Sequence, residues 1–292
     1  MSSVALALLV AVGFAANSVF AALAYAGGSN AISVLIARSS VAFVVLLAVL
    51  IVTRTSAVLP SSQRNVALAL GLLMAVSSYT LLGALEYMPV ALCIITLYTY
   101  PLIVASFGWI SGTEPFRIRF AVALIAAFAG LVLALDLPGA IPNITGIALS
   151  LTAAVSISIL LIVSERVRST ADSRPFTLHM LGACMVASIV AAPMLGEFTL
   201  PTTANGWTGF VAAPLCYAFG IIFLFVAISK IGSLKTAFVL NLEPVSSVVL
   251  SYFILSQSLK PLQIAGIVLV VAAISSAQER QPATLAEGEN AD

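Results

Sequence analysis

Two ionisable residues, Glu243 and Arg38, stand well inside long apolar stretches of this 292-residue chain. A charge at the centre of a hydrocarbon layer costs on the order of 3 kcal/mol or more, so each needs either a function or a partner. Glu243 has the chemistry to bind an ammonium group or carry a coupling proton. It could equally stay protonated and hydrogen-bond backbone freed by the proline that follows it. Arg38 could hold a carboxylate, or fasten helices by donating to main-chain carbonyls. Together, an anion and a cation at similar depth would suit a zwitterion. Around them stand polar residues of neutral character: Asn17, Thr96, Tyr98, Tyr100, Asn241, Tyr79 and Tyr217. Buried tyrosine hydroxyls require partners, so the four tyrosines are expected to face the interior of a bundle. Asn17 fits a cavity wall, although asparagine also serves as glue between helices. His179 reads as a packing residue rather than a proton relay, and Glu86 as interfacial.

Two prolines, Pro101 and Pro244, follow these polar clusters at matching positions. Each lies about ten residues into an apolar run, roughly 15 Å deep at 1.5 Å per residue. Proline lacks an N–H, which leaves the carbonyls of Leu97 and Leu240 without their usual helical donor. In lipid such groups must be satisfied by neighbouring helices or by water in a cavity. The expectation is a pair of kinked helices lining a common space. The alternative is prolines tolerated inside a well-packed bundle.

The elements that must position these residues are membrane helices. Apolar residues make up 61% of the chain and charged residues 8%, with a mean hydropathy of +1.16. An average soluble domain carries about 25% charge, so the solvent for this surface is lipid. A hydrocarbon core about 30 Å thick needs roughly 20 apolar residues per crossing. That ruler predicts ten spans, at roughly 3–25, 30–53, 64–86, 90–111, 118–136, 143–165, 175–196, 205–229, 233–256 and 261–279. The first carries an Ala24-Tyr25-Ala26 sequence like a leader cleavage site. Its length and its lack of a basic flank read as a span instead.

Basic residues set an orientation. With the N-terminus cytoplasmic, ten Lys and Arg fall on the cytoplasmic side, among them Arg54, Arg64, Arg117, Arg166, Arg174, Lys230 and Arg280, against Lys260 alone outside. Shifting the sequence by 143 residues places Pro101 on Pro244, Trp109 on Tyr252 and Arg117 on Lys260. Five spans per half means that the halves enter the membrane with opposite orientation, the build of many secondary transporters. The expected organisation is therefore an all-α polytopic membrane protein of two inverted five-helix repeats. The repeats cover 1–138 and 139–279, with a short disordered cytoplasmic tail at 280–292 and both termini inside. Small residues at four-residue spacing, Ala126/Gly130 and Ala273/Ala277, are expected to let helices approach closely within a half or between protomers.

Leu242-Glu243-Pro244-Val245, then Leu262-Gln263-Ile264-Ala265-Gly266, and the degenerate copy from Tyr100-Pro101-Leu102 through Glu114 to Gly130 carry a resemblance. With Arg38 in the second span, the whole chain resembles the EamA family of the drug/metabolite transporter (DMT) superfamily. Among its subgroups it looks most like YddG-type exporters of aromatic and other neutral amino acids. It departs from the pattern where Gln257 replaces an expected Glu and where Pro115 follows Glu114. The resemblance implies a multi-pass protein of a bacterial inner membrane whose third, fourth, eighth and ninth spans surround a cavity. This nominates Tyr79 and Tyr217 beside the residues flanking the prolines. It further implies export of small amphipathic metabolites by alternating access. Uptake or exchange of another metabolite or drug is the alternative within transport. A non-transporting membrane assembly or lipid-binding protein is the alternative of a different class.

Other chemistries find no support in the residues. There is no Walker-A loop, H-E-x-x-H, G-x-S-x-G or C-x-x-C spacing, so neither an enzyme nor a cofactor or metal is expected. A net charge of +1 gives no reason to expect nucleic acid. The expected partners are a small-molecule substrate and membrane lipid.

Overall fold

In a hydrocarbon solvent, main-chain N–H and C=O groups must be satisfied within the segment, and a long apolar run therefore folds as a helix. The computed structural model describes residues 3–135, 143–167, 173–256 and 258–278, and among them all regular structure is helical. The helices are α1 (Ser3–Ala26), α2 (Ala31–Val52), α3 (Ser61–Ala84), α4 (Val90–Leu97), α5 (Tyr100–Ile110) and α6 (Ile118–Ala134), followed by α7 (Ile144–Val167), α8 (Ser173–Leu195), α9 (Ala204–Val239), α10 (Leu242–Ile254) and α11 (Pro261–Gln278). Seven apolar helical segments have the length to cross a membrane, α4 and α5 together making one of them, and three shorter apolar helices accompany them. The expected tail, the 138/139 boundary and Gln257 lie outside the described residues.

Two of the ten expected spans are broken, and the breaks fall just before the two prolines. The fourth span divides at Tyr98 and Thr99, the ninth at Leu240 and Asn241. Proline is well tolerated in the first turn of a helix, where no N–H is required of it. Pro101 and Pro244 accordingly begin α5 and α10 rather than bend a continuous helix. The Leu240 carbonyl, which the proline deprives of its usual donor, accepts from Glu243 N at 2.9 Å instead. Thr99 closes the other break, donating from N and Oγ1 to the Thr96 carbonyl at 3.2 and 2.7 Å.

No loop separates the eighth span from the ninth. A single residue, Gly232, turns the chain within α9 with φ 82° and ψ 164°, a conformation reserved for glycine. The Glu165 carboxylate of α7 accepts from Ser233 N at 3.1 Å and from the Ser233 hydroxyl, capping the segment that restarts there. A Cβ at Gly232 would lie 2.9 Å from Glu165 Oε1. Gly232→Ala is expected to cost about 1–3 kcal/mol, read as a lower melting temperature in detergent micelles. An unchanged melt would mean that the turn is not strained by a side chain.

The largest helix packings join elements before residue 135 to elements after residue 143: α1 on α9 and α10, α2 on α8 and α9, α3 on α7 and α8, and α6 on α11. Lipid supplies no hydrophobic drive between helices, so close approach through small residues does this work. Gly130 and Gly266 bring the backbones of α6 and α11 together. A Cβ at Gly130 would meet Gly266 O and Val270 Cγ2 at 2.9 Å. This close approach joins α6, in the middle of the chain, to α11 near its end, where the sequence pattern pointed to packing within a half or between protomers. On one face the chain turns are stitched together. Asn30 Nδ2 donates to Glu197 O at 2.7 Å, Ser29 Oγ to Thr199 O at 3.0 Å and Thr202 N to Gly27 O at 2.8 Å. Large apolar side chains such as Val44, Ile125, Val190 and Val268 stand exposed around the perimeter, as a lipid-facing surface requires.

Candidate functional site

Arg38 lies in the second turn of α2 and reaches across to two other helices. Its Nη2 donates to Ser78 Oγ of α3 at 3.0 Å, and its Cζ sits 4.8 Å from the ring centroid of Tyr217 on α9. A guanidinium over an aromatic face is attracted by the ring quadrupole, by about 2 kcal/mol when desolvated. Phe14 of α1 tilts against the other side of this group, 5.9 Å from the Tyr217 centroid. Tyr79, next along α3 from Ser78, donates its hydroxyl to the Ser188 carbonyl of α8 at 2.6 Å. One wall is thus assembled from five helices around a single cation.

A second polar group forms at the two helix breaks. Tyr98 and Tyr100 flank the first break, buried and tilted against each other at 5.5 Å. Ser158 of α7 donates to the Tyr100 carbonyl at 3.3 Å and holds this turn. Glu243 occupies the first turn of α10, where a helix N-terminus favours an anion. Its carboxyl has the Tyr98 hydroxyl as its side-chain neighbour and feels the charge of Arg38. Yet among the described residues no hydrogen bond or ion pair joins Glu243 to Arg38, and Arg38 Nε has no partner. Both side chains, with Ser78, Tyr79 and Thr96, are only partly buried. Glu243 thus feels the charge of Arg38 without an ion pair between the two among the described residues.

The remaining sequence candidates divide. Asn241 is buried and donates Nδ2 to the Phe238 carbonyl at 2.9 Å, closing the helix end at the second break. Thr96 bonds back to the Leu92 carbonyl at 2.8 Å on its own helix while remaining partly accessible. Asn17 is buried on α1, its Oδ1 without a partner, and among the described residues no hydrogen bond ties it to Arg38 or Glu243. His179 bonds through Nδ1 to the Pro175 carbonyl of its own helix at 2.9 Å, away from the site. Glu86 is exposed in the turn after α3. Ser78, Ser188, Ser158 and Phe14 were not anticipated. The polar run Ser77-Ser78-Tyr79-Thr80 inside an apolar span was the available signal for the first of them. Among the described residues no cluster of His, Cys, Asp and Glu could hold a metal ion.

The family comparison agrees with this architecture. The family model of the EamA-like transporters matches twice, over residues 1–135 and 144–276. A solved structure described only as "Crystal structure of protein" superposes with a TM-score of 0.75 at 18% identity. That superposition covers 92% of this chain and 97% of the other, a likeness of fold alone. No curated protein matches the chain. With both matches together spanning nearly all of its length, the chain belongs to the EamA-like transporter family, membrane transporters of the drug/metabolite type.

Proposed function

We propose that this protein exports small amphipathic metabolites, foremost neutral and aromatic amino acids, across a bacterial inner membrane by alternating access. The observation that carries the reading is the pair of charges inside the bundle, Arg38 beside Ser78 and Tyr217 and Glu243 beside Tyr98, with no ion pair between them among the described residues. A zwitterion would place its carboxylate on Arg38 and Ser78 and its ammonium on Glu243. Its side chain would then lie against Tyr98, Tyr100 and Tyr217. Charge-assisted hydrogen bonds are worth roughly 1.5–3 kcal/mol each. A substrate that supplies both partners recovers the desolvation that each charge bears alone. Apolar aromatic walls favour an amino acid whose side chain is itself apolar or aromatic.

The packing pattern supports two repeats related by an axis in the membrane plane. The partnership of α1 with α9 is mirrored by that of α7 with α3, and that of α2 with α9 by α8 with α3, while α6 with α11 maps onto itself. The charge asymmetry favours an orientation with both termini in the cytoplasm. Uptake or exchange of another metabolite would use the same two charges from the other side.

Flux into proteoliposomes decides between these readings. Labelled Phe, Met and Thr are expected to move down their gradients with this protein and not with empty vesicles. Absence of flux for all three would overturn the amino-acid assignment. Repeating the measurement with an imposed pH gradient reports whether a proton moves with the substrate.

A further inference from the structure

Away from the polar site, a groove of about 1090 Å³ runs along the outside of the bundle between α3 and α8. Its walls are apolar, with Leu68, Leu72, Val186, Val190 and Met194 all exposed along it. From Leu178 to Met194 it follows 17 residues of α8, about 24 Å at a rise of 1.5 Å per residue. One leaflet of the hydrocarbon core is about 15 Å deep, so the groove is long enough to take a full acyl chain. The floor is tight. A Cβ at Gly182 would meet Phe43 at 3.1 Å, and Gly71 and Met180 put the α3 and α8 backbones in direct contact.

Only one end of the groove is polar, and it is basic. Arg64 and His179 line it there, and among the described residues no acidic side chain lines it. Arg64 is exposed, and its guanidinium has no partner among the described residues. Nearby, Arg174 Nη1 donates to Thr53 Oγ1 at 3.1 Å, adding a further cation to the same end. The N-terminus of α3 opens at this end too, capped by Pro60 without any side-chain hydrogen bond. Its first-turn N–H groups and its dipole favour a phosphate in front of them. The basic residues mark this end as cytoplasmic, the side on which anionic headgroups attract juxtamembrane Lys and Arg.

We infer that this groove is a site for one anionic glycerophospholipid of the phosphatidylglycerol type. The phosphate lies against Arg64 and the α3 N-terminus, and an acyl chain lies along Leu68, Leu72, Val186 and Val190. With its Nδ1–H given to the Pro175 carbonyl, His179 presents Nε2 as an acceptor for a headgroup hydroxyl. Charge separates this occupant from a zwitterionic lipid, and the long apolar wall separates it from free phosphate. The site stands apart from Arg38 and Glu243 and does not depend on what the protein carries.

Native mass spectrometry of the purified full chain, exchanged into detergent with equal phosphatidylglycerol and phosphatidylcholine, tests the inference. One phosphatidylglycerol is expected to be retained per protein in preference to phosphatidylcholine. Arg64→Gln is expected to weaken that retention roughly tenfold and to leave phosphatidylcholine unaffected. Val186→Trp, which fills the groove, is expected to reduce retention of phosphatidylglycerol with Arg64 intact. Lys230→Gln, in another part of the protein, should change neither. Equal retention of the two lipids, or full retention of phosphatidylglycerol by Arg64→Gln or by Val186→Trp, would overturn the site. So would retention of inorganic phosphate in competition with the lipid.

Discussion

Glu243→Gln is expected to lower uptake of a neutral amino acid into proteoliposomes roughly 10- to 100-fold at subsaturating substrate. The factor corresponds to one charge-assisted hydrogen bond of about 1.5–3 kcal/mol. The substitution keeps the shape of the side chain and removes only its charge, so Tyr98 and Tyr100 should remain packed at the first break. Arg38→Gln is expected to have an effect of similar size for a different reason, since it removes the cation held between Ser78 and Tyr217. The two variants should part company on substrate analogues. An amino-acid amide, which lacks the carboxylate, should be moved about equally by wild type and Arg38→Gln. A deaminated acid should be moved about equally by wild type and Glu243→Gln. If each variant lost all analogues to the same degree, the residues would be structural props and not contacts to the substrate. Melting temperatures close to wild type for both would separate loss of binding from loss of fold.

Gly266→Leu is expected to disrupt the bundle severely. A Cβ at this position would collide with Gly130 O and Ala134 N, both main-chain atoms of α6. Backbone cannot rotate aside as a flexible side chain can, so α6 and α11 must separate along their whole contact. Overpacking costs about 1–3 kcal/mol in ordinary cores and more where the neighbours are rigid. The expected result is a large loss of folded, monodisperse protein on size-exclusion chromatography and a markedly lower melting temperature. Gly83→Ala provides the control. Its Cβ would meet only Leu149 Cδ1 at 3.6 Å, an ordinary contact, and alanine is the better helix former. A near-neutral Gly83→Ala beside a failing Gly266→Leu would tie the loss to helix approach and not to glycine replacement as such.

Much of the frame was readable from composition and hydropathy, because a bilayer imposes a length on every crossing. The ends of α2, α3 and α7 fall within about three residues of the expected spans for that reason. The prolines announced the breaks, but not their detail. Pro101 and Pro244 mark where a helix starts again, and the interruption itself falls on the residues before them. Gly232 was hidden by the opposite effect. Lys230 and the glycine read as an ordinary loop, whereas one residue in a left-handed conformation replaces the loop altogether. At the site, Glu243, Arg38 and the four tyrosines stood out because polar atoms are costly in lipid wherever they occur. Which of them meet could not be read from spacing. Arg38 and Ser78 are 40 residues apart, and Glu165 and Ser233 68. Serines are common enough in membrane helices that Ser158 and Ser188 carried no signal. Asn241 shows the converse, a conspicuous residue whose amide closes a helix end.

The single-residue joint at Gly232 has a mechanical consequence. Consecutive Cα atoms are about 3.8 Å apart, so the helices on either side have no slack with which to move independently. Tyr217 lies 15 residues before the joint, about 22 Å along one arm, and the other arm ends at Val239, seven residues after it. The joint works as an elbow, with Glu165 as the pin that holds it from a third helix. A swing of the arm that carries Tyr217 is passed through Gly232 to the short segment that ends at Val239, where the second break separates it from Glu243.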